Sequence, residues 1–221
     1  MPTSDNPTQN TSERYAMLRT MAEMQDSHNT LVHPQWRSQG YEYYRAMWVE
    51  CAEMLDHFGW KWWKKQDADL DQVRLELVDI WHFALSELLR QGDVSDDVAD
   101  ALASVTPLAS ATDEDQAGAF RLAIEELAGS CLRTRSFELQ PFIDAMAALP
   151  MTLEELFDLY IGKNVLNRFR QNHGYKTGEY RKLWGGREDN EHLLDLLSEL
   201  EVSAADLPDA LYAALQVRYD A

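Results

Sequence analysis

Two pairs of acidic residues, each with a spacing of three, stand in stretches of helical character. Glu50 and Glu53 form the first pair, and Glu76 and Asp79 form the second. Residues i and i+3 share one face of a helix, so two such pairs on facing helices can direct four carboxylates to one point. Hard cations such as Mg²⁺ prefer oxygen ligands, and carboxylates are their usual source in proteins. The spacing therefore suggests a divalent-cation site.

The spacing alone is weak support, because the same pattern recurs in this acidic chain at Glu23/Asp26, Glu155/Asp158 and Glu188/Glu191. The helix around Glu76 and Asp79 is more informative, since apolar residues cover nearly its whole circumference and predict burial. Buried carboxylates must be paired or hold metal, and few basic residues are close in sequence. Helical periodicity, by contrast, places Glu50 and Glu53 opposite the apolar stripe of their own helix, towards solvent.

Three other groups of residues can contact a nucleotide. Between the acidic pairs, lysines are interleaved with Trp60, Trp62 and Trp63. Indole rings suit stacking on a base, and lysines suit phosphate; the alternative is that these tryptophans anchor a core or a dimer interface. His82 follows Asp79 by three residues. Its position is compatible with a metal ligand, a ring that stacks on the substrate or a histidine of the core. Two amide side chains, Gln25 and Asn29, also share one helix face. Amides can donate to and accept from the edge of a base.

Basic residues are concentrated between residues 163 and 187. This segment holds seven of the 20 lysines and arginines of the chain: Lys163, Arg168, Arg170, Lys176, Arg181, Lys182 and Arg187. In a chain with so many acids, such a concentration indicates where an anion binds. The alternative is a positive patch on a solvated loop.

The composition narrows the function classes. The 221 residues include 38 acidic and 20 basic ones, so the formal charge is −18. This charge repels a phosphate backbone and argues against nucleic-acid binding, while a small anion can still bind where metal offsets the charge. Cys51 and Cys131 are predicted to be buried thiols, which suits a reducing compartment. Without a signal-peptide pattern or a long apolar run, we expect a soluble cytoplasmic protein with no membrane contact.

Helices must position these side chains. Apolar periodicity and capping residues predict helices at about 12–32, 41–58, 69–90, 96–104, 114–134, 139–148, 152–173, 190–200 and 204–219. Thr152 and Glu155 form a predicted capping box. Strand-like alternation and a β-hairpin signal are absent, so the predicted class is all-α. We expect a flexible N-terminus at 1–11 and one catalytic domain at 12–221, which includes a variable helical segment, 93–150, and a mobile basic segment, 174–188.

Five motifs, in order, resemble those of the dimeric all-α dUTPases of the helical NTP pyrophosphatase superfamily, which also includes MazG-like proteins. The first is Gln25-Asp-x-x-Asn29, and the second is Glu50-Cys-Ala-Glu53 with Trp60-Lys-Trp-Trp-Lys64. The third is Glu76-Leu-Val-Asp79-Ile-Trp-His-Phe83, and the fourth is Lys163-Asn-x-Leu-Asn167-Arg-Phe-Arg170. The last runs from His173-Gly-Tyr175-Lys-x-Gly-x-Tyr180 to Gly186-Arg-Glu-Asp-Asn190. Residues 93–150 carry little that matches.

The resemblance implies a helical bundle of the all-α NTP pyrophosphatase type, with additional helices, that acts as a homodimer. It implies Mg²⁺-dependent hydrolysis of dUTP to dUMP and pyrophosphate, with dUDP as a further substrate, which keeps uracil out of DNA. Two or more Mg²⁺ ions, with Mn²⁺ as a substitute, would be bound by Glu50, Glu53, Glu76 and Asp79. The catalytic carboxylates would be Glu50 and Glu53, with Glu50 activating the attacking water.

The resemblance also assigns the substrate contacts by position. The uracil edge would be read by Gln25 and Asn29. The base and sugar would be surrounded by Trp60, His82 and Phe83. The nucleoside would be held by Asn167 and Asn190, and the phosphates by Lys163, Arg168, Tyr175, Lys176 and Lys182.

Three other hypotheses remain open on the sequence alone. One keeps the site but changes the base, to that of dCTP or a damaged nucleotide, because an amide's orientation cannot be read from sequence. A di-iron bundle usually uses two Glu-x-x-His pairs, and this chain offers only Asp79-x-x-His82 and Asp189-x-x-His192. A non-enzymatic acidic helical interaction module explains the charge but not the basic segment.

Overall fold

The computed structural model of the protein describes residues 7–111, 114–203 and 206–220, without the side chains of residues 7–10, 114 and 115. Within these ranges the chain is predominantly helical and has almost no strand, which confirms the all-α class. The helices are α1 (Pro7–Val32), α2 (Tyr43–Phe58), α3 (Leu70–Gln91), α4 (Asp96–Ala103), α5 (Glu114–Thr134), α6 (Leu139–Ala148), α7 (Leu153–Asn172), α8 (Asp189–Glu199) and α9 (Leu207–Asp220). Two 3₁₀ turns (Trp36–Ser38 and Tyr175–Thr177) and two short strands, β1 (Leu183–Trp184) and β2 (Arg187–Glu188), complete the description.

The described residues form two compact units. The first contains the chain up to Phe157, and the second contains the chain from Asp158 onwards. The prediction that residues 12–221 form one catalytic domain stays a prediction, as does the mobility of residues 174–188.

The predicted helix ends agree with the structure to within three residues, except at the start of α1. Residues 7–11, predicted to be flexible, belong to that helix; residues 1–6 lie outside the described ranges. Pro7 is the first described residue of that helix, and proline is compatible with a first helical turn, where its missing N–H leaves no hydrogen bond unmade. The capping box before α7 is confirmed: Thr152 N donates to Glu155 Oε2 at 2.8 Å, and Glu155 N donates to Thr152 Oγ1 at 3.2 Å.

The expectation of no hairpin is wrong for residues 183–188. Leu183 pairs with Glu188 and Trp184 pairs with Arg187 in an antiparallel ladder. With two residues per strand, no alternation is visible in the sequence. The Gly185-Gly186 turn, with φ of +57° and +85°, was the available signal, because two-residue hairpin turns of this kind need positive φ.

In the first unit, α3 is enclosed by its neighbours. It packs along α2 and α1, and its Trp81 stacks on Phe142 of α6 with 5.2 Å between ring centroids. α5 covers another side of α2, where Phe58 lies 4.2 Å from Phe120 between centroids. Apolar side chains on nearly every side of α3 are buried, as its composition predicted. Both cysteines are buried thiols, as predicted.

In the second unit, α9 and the β-hairpin segment gather around Phe169 of α7. Its ring lies 5.8 Å from Trp184, 5.2 Å from Tyr212 and 5.4 Å from Tyr219, between centroids. α8 approaches α7 closely at Gly162, where an added Cβ would lie 2.8 Å from a methyl carbon of Leu197. In neither unit is a described helix long and apolar enough to cross a bilayer.

Candidate active site

Three carboxylates from two helices meet in the first unit. One oxygen each of Glu50 on α2 and of Glu76 and Asp79 on α3 lie within 4.8 Å of one another. Glu76 is buried, and the other two are half-buried. Glu76 and Asp79 share one face of α3 because they are almost one turn apart. We refer to Glu50, Glu76 and Asp79 as the carboxylate cluster.

The exposure that periodicity predicted for the first acidic pair is wrong for Glu50. α2 packs against both α5 and α3, and Glu50 is half-buried where it meets Glu76 and Asp79 of α3. Glu53, one turn further along α2, is exposed and is not part of the carboxylate cluster.

The electrostatics of the carboxylate cluster favour a bound cation. Burial, followed by the charges of Asp79, Glu76 and Glu53 and a hydrogen bond with Glu76, raises the pKa of Glu50 to about 9. Carboxylates held this close cannot all be ionised at neutral pH unless positive charge replaces the proton. An all-oxygen set of this kind fits Mg²⁺, because that ion prefers hard ligands.

His57 also lies at the carboxylate cluster, and sequence reasoning did not single it out. Its Nε2 is 3.6 Å from Oε1 of Glu76, and the imidazole is partly exposed. His57 follows Glu50 by seven residues, which is close to two helical turns, so both side chains lie on the same side of α2. That i, i+7 spacing was the signal that could have identified it.

The two amides predicted to read a base lie together in the first unit. Gln25 and Asn29 are both buried, and Gln25 Nε2 donates to Asn29 Oδ1 at 3.1 Å. Both amide nitrogens also donate to Oγ of Ser86 on α3, at 3.0 Å from Gln25 and 2.9 Å from Asn29. We refer to Gln25 and Asn29 as the amide pair.

Ser86 and Tyr43 are further residues that sequence reasoning missed. The Tyr43 hydroxyl lies beside Ser86, and burial, followed by the neighbouring Tyr41, raises its pKa to about 12. The ring of Tyr43 lies 6.5 Å from that of Phe83, between centroids. The spacing Asp79, Phe83, Ser86 follows the helical repeat, so a stripe on one side of α3 runs from the carboxylate cluster to the amide pair.

The other predicted base and sugar contacts differ in burial. His82 is buried, and its Nδ1 lies 2.8 Å from the carbonyl oxygen of Val78. Trp60, Trp62 and Trp63 are 46%, 90% and 57% exposed, so the alternative that they anchor a core of this chain is wrong. Their rings contact one another edge to face on the surface.

Most of the basic residues in the second unit are engaged within it. Lys163 is buried and donates to Asn190 Oδ1 at 2.9 Å, while Asn167 accepts from Arg170 at 3.1 Å. Arg170 also donates twice to Asp189, from Nε and Nη2, at 2.8 Å each. Asp189 is fully buried and accepts from Tyr180 at 2.8 Å. Burial alone would raise the pKa of Asp189, but Arg170 and Tyr180 outweigh burial and lower it.

The remaining predicted phosphate contacts lie nearer the surface of the second unit. Lys182 forms an ion pair with Glu188 at 3.0 Å. The guanidinium of Arg168 stacks over the ring of Tyr212. Arg168 is exposed, and so are Tyr175 and Lys176. The structure therefore brings Lys163 and Asn190 together, and it places the others around them or at the surface.

The chain also matches a known protein family. A family model described as dUTPase matches residues 17–175, more than half of the chain. This range includes the carboxylate cluster and the amide pair, and it ends before most of the last motif. A comparison with curated proteins finds no match.

Proposed function

Because the chain belongs to the dUTPase family and is a dUTP diphosphatase, a nucleoside triphosphate pyrophosphohydrolase, we propose that it converts dUTP to dUMP and pyrophosphate with Mg²⁺ at the carboxylate cluster. The observation that supports this proposal most is that one carboxylate oxygen each of Glu50, Glu76 and Asp79 lie within 4.8 Å of one another. The non-enzymatic alternative is wrong, since the family is an enzyme family.

The arrangement along α3 suggests how the nucleotide lies. Seven residues separate Asp79 from Ser86, which corresponds to roughly 10 Å along a helix axis. A deoxynucleotide of this length can place its phosphates at the carboxylate cluster and its base at the amide pair. Phe83, half-buried between the two ends, is then positioned beside the base and sugar.

The carboxylate cluster supplies the chemistry. A divalent cation bound there would offset the negative charge of the triphosphate and activate water. Glu50 takes the proton of the attacking water as the linkage between the α- and β-phosphates breaks, which leaves dUMP and pyrophosphate. Glu50 can accept that proton only when it is ionised, and positive charge at the cluster favours the ionised form. Glu53, the second proposed catalytic carboxylate, lies close enough to raise the pKa of Glu50.

Further parts of the proposal rest on the resemblance and on side-chain chemistry. They are a homodimeric and cytoplasmic enzyme, activity on dUDP, and more than one cation per site. In the second unit we propose nucleoside contacts by Asn167 and Asn190, and phosphate contacts by Lys163, Arg168, Tyr175, Lys176 and Lys182. In the first unit we propose base and sugar contacts by Trp60 and His82.

A nucleotide panel tests the proposal. The purified protein is given dUTP, dUDP, dCTP or dTTP, each with Mg²⁺, with Mn²⁺ or with a chelator, and the released pyrophosphate or phosphate is measured. We expect dUTP turnover that disappears with the chelator and a preference for dUTP over dCTP and dTTP. Turnover of dUTP that persists in the chelator would rule out the cation, and a preference for dCTP would support the alternative base.

A further inference from the structure

Residues 59–69 connect α2 to α3 and carry the three exposed tryptophans. We refer to residues 59–69 as the tryptophan loop. Its last residue returns to the end of α2, because Asp69 N donates to the carbonyl oxygen of His57 at 3.0 Å. The ring of His57 lies beside Glu76 of the carboxylate cluster. The tryptophan loop is therefore attached to the helix turn that contacts the carboxylate cluster.

Gln66 fixes the path of the tryptophan loop. Its Oε1 accepts hydrogen bonds from two successive backbone N–H groups, at 3.1 Å from Trp60 N and 2.8 Å from Lys61 N. A backbone N–H can only donate, so the amide atom of Gln66 that faces both groups must be the oxygen. The backbone alone therefore settles the orientation of this amide.

Gly59 lets Gln66 come this close to the start of the loop. Gly59 has a φ of +91°, and a Cβ added there would lie only 2.9 Å from the Cβ of Gln66. The carbonyl oxygen of Gly59 accepts two hydrogen bonds from Arg121 of α5, at 3.1 Å from Nε and 2.8 Å from Nη2. The start of the tryptophan loop is thus held by Gln66 within the loop and by Arg121 from a neighbouring helix.

The indole of Trp60 is positioned largely by hydrogen bonds. Trp60 is 46% exposed, so the core does not enclose its ring. Its Nε1 donates to Asp56 Oδ1 at 3.3 Å, and Lys61 Nζ donates to the same oxygen at 2.7 Å. Asp56 precedes His57 on the last turn of α2. The indole therefore contacts the helix turn that reaches the carboxylate cluster.

We propose that Gln66 is a positioning residue for nucleotide binding, which holds the backbone at Trp60 so that the indole is preorganised for the base and sugar. This inference rests on the proposed contact of Trp60 with the base and sugar. A loop that must become ordered when the ligand binds reduces affinity, and a loop that is already ordered avoids this loss. The base and sugar do not react, so the contact should support substrate and transition state equally and change KM rather than kcat.

The first test compares Gln66→Met with Gln66→Glu. Methionine is similar in length but has no amide oxygen, while glutamate keeps an oxygen that accepts from both N–H groups. In Gln66→Met we expect KM for dUTP to rise by about tenfold with kcat unchanged, since the loop must then be ordered on binding. Calorimetric binding of the α,β-imido analogue of dUTP with Mg²⁺ should weaken by the same factor. Gln66→Glu should keep both values close to those of the wild type.

The matched control is Gln116→Met. Gln116 also accepts a backbone hydrogen bond through Oε1 from a residue six positions earlier, Ser110 N at 2.8 Å, and neither residue belongs to the carboxylate cluster or the amide pair. We expect its KM to be unchanged. An equal rise in KM in Gln116→Met would overturn the proposal, because it would indicate general loosening of the fold. If Gln66→Met does not fold, Gln66→Ser takes its place with the same expected rise, because serine is too short to reach both N–H groups.

A double-mutant cycle tests whether Gln66 acts through Trp60. Trp60→Ala is expected to raise KM for dUTP, and Gln66→Met should add little further in that background, because its effect depends on the indole. Losses that add fully in the double variant would overturn the proposal, since additivity indicates independent effects.

The outcomes separate this inference from the proposed function. A wild-type protein that does not turn over dUTP would refute the proposed function. A wild-type protein that turns over dUTP, together with a folded Gln66→Met variant of unchanged KM, would refute only the role of Gln66. Unchanged KM in Trp60→Ala would refute that role as well, while leaving dUTP hydrolysis at the carboxylate cluster intact.

Discussion

The imidazole of His57 lies beside the buried carboxylate of Glu76, with 3.6 Å between Nε2 and Oε1. One residue is on α2 and the other is on α3, so their contact depends on the packing of the two helices. Glu76 is the most buried member of the carboxylate cluster. A partner beside it restricts how its carboxylate can turn, which matters for a group proposed to bind a cation.

Replacing His57 by Asn is expected to weaken Mg²⁺ or Mn²⁺ binding without removing it. The variant keeps the carboxylates but loses the group that orients Glu76, and such losses typically cost about tenfold or more in metal affinity. Calorimetric titration without nucleotide measures the effect. The control is His33→Asn, because the ring of His33 accepts a hydrogen bond from Gln35 N in the turn after α1 and not from the carboxylate cluster. Unchanged affinity in His57→Asn would show that His57 does not position Glu76.

Replacing Glu76 by Ala is expected to abolish dUTP turnover. Charge stabilisation at such a site is worth several kcal/mol, so kcat/KM should fall by about a thousandfold or more. The matched control is Glu125→Ala, because Glu125 is an exposed glutamate of another helix, α5. An active Glu76→Ala protein would refute the assignment of the carboxylate cluster as the cation site.

The stability of the metal-free protein is expected to fall as pH rises. The pKa of Glu50 is raised from its usual value near 4.5 to about 9, so the folded state holds a proton that the unfolded state has lost between these values. The stability from this group is complete below the lower pKa and is lost as pH rises through the higher one. Urea unfolding with a chelator, from about pH 5 to about pH 9, measures the slope.

Two changes should reduce that pH dependence. Glu50→Gln removes the titrating group and keeps hydrogen-bonding capacity, so its metal-free stability should vary less with pH than that of the wild type. Saturating Mg²⁺ should have a similar effect on the wild type, because a cation replaces the proton. A slope that is the same in Glu50→Gln as in the wild type would show that another group causes it.

The second unit is expected to depend on the buried pair of Arg170 and Asp189. Asp189→Ala leaves the guanidinium of Arg170, only 12% exposed, without the carboxylate that accepts two of its hydrogen bonds. Removing one partner of a buried pair typically costs about 3–5 kcal/mol. Urea unfolding of Asp189→Ala measures this loss. Asp195→Ala is the control, because its ion pairs with Arg187 and Arg218 are partly exposed and their loss should cost much less stability.

Local patterns were sufficient to predict most of the helices and the two members of the carboxylate cluster that lie on α3, Glu76 and Asp79. Apolar periodicity places the ends of α2–α9 because it reflects which face of each helix is buried, and capping residues act within one turn. The same periodicity predicted the burial of Glu76 on α3. Residues 7–11 of α1 and the short β-hairpin were not predicted, because neither segment has enough residues to show a repeat in its apolar pattern.

The tertiary structure alone decided which side chains share a site. Glu50 and Glu53 have the same character on the helical wheel of α2, yet packing against α3 half-buries Glu50 and leaves Glu53 exposed. His57 and Ser86 are unremarkable in sequence, and both contact partners that are distant along the chain, Glu76 for His57 and the amide pair for Ser86. The sequence therefore determined the helices, the buried α3 and the family, because these depend on local composition and motifs. Membership of the carboxylate cluster and the contacts of the amide pair with Ser86 depend on the packing of one helix against another, which no local pattern encodes.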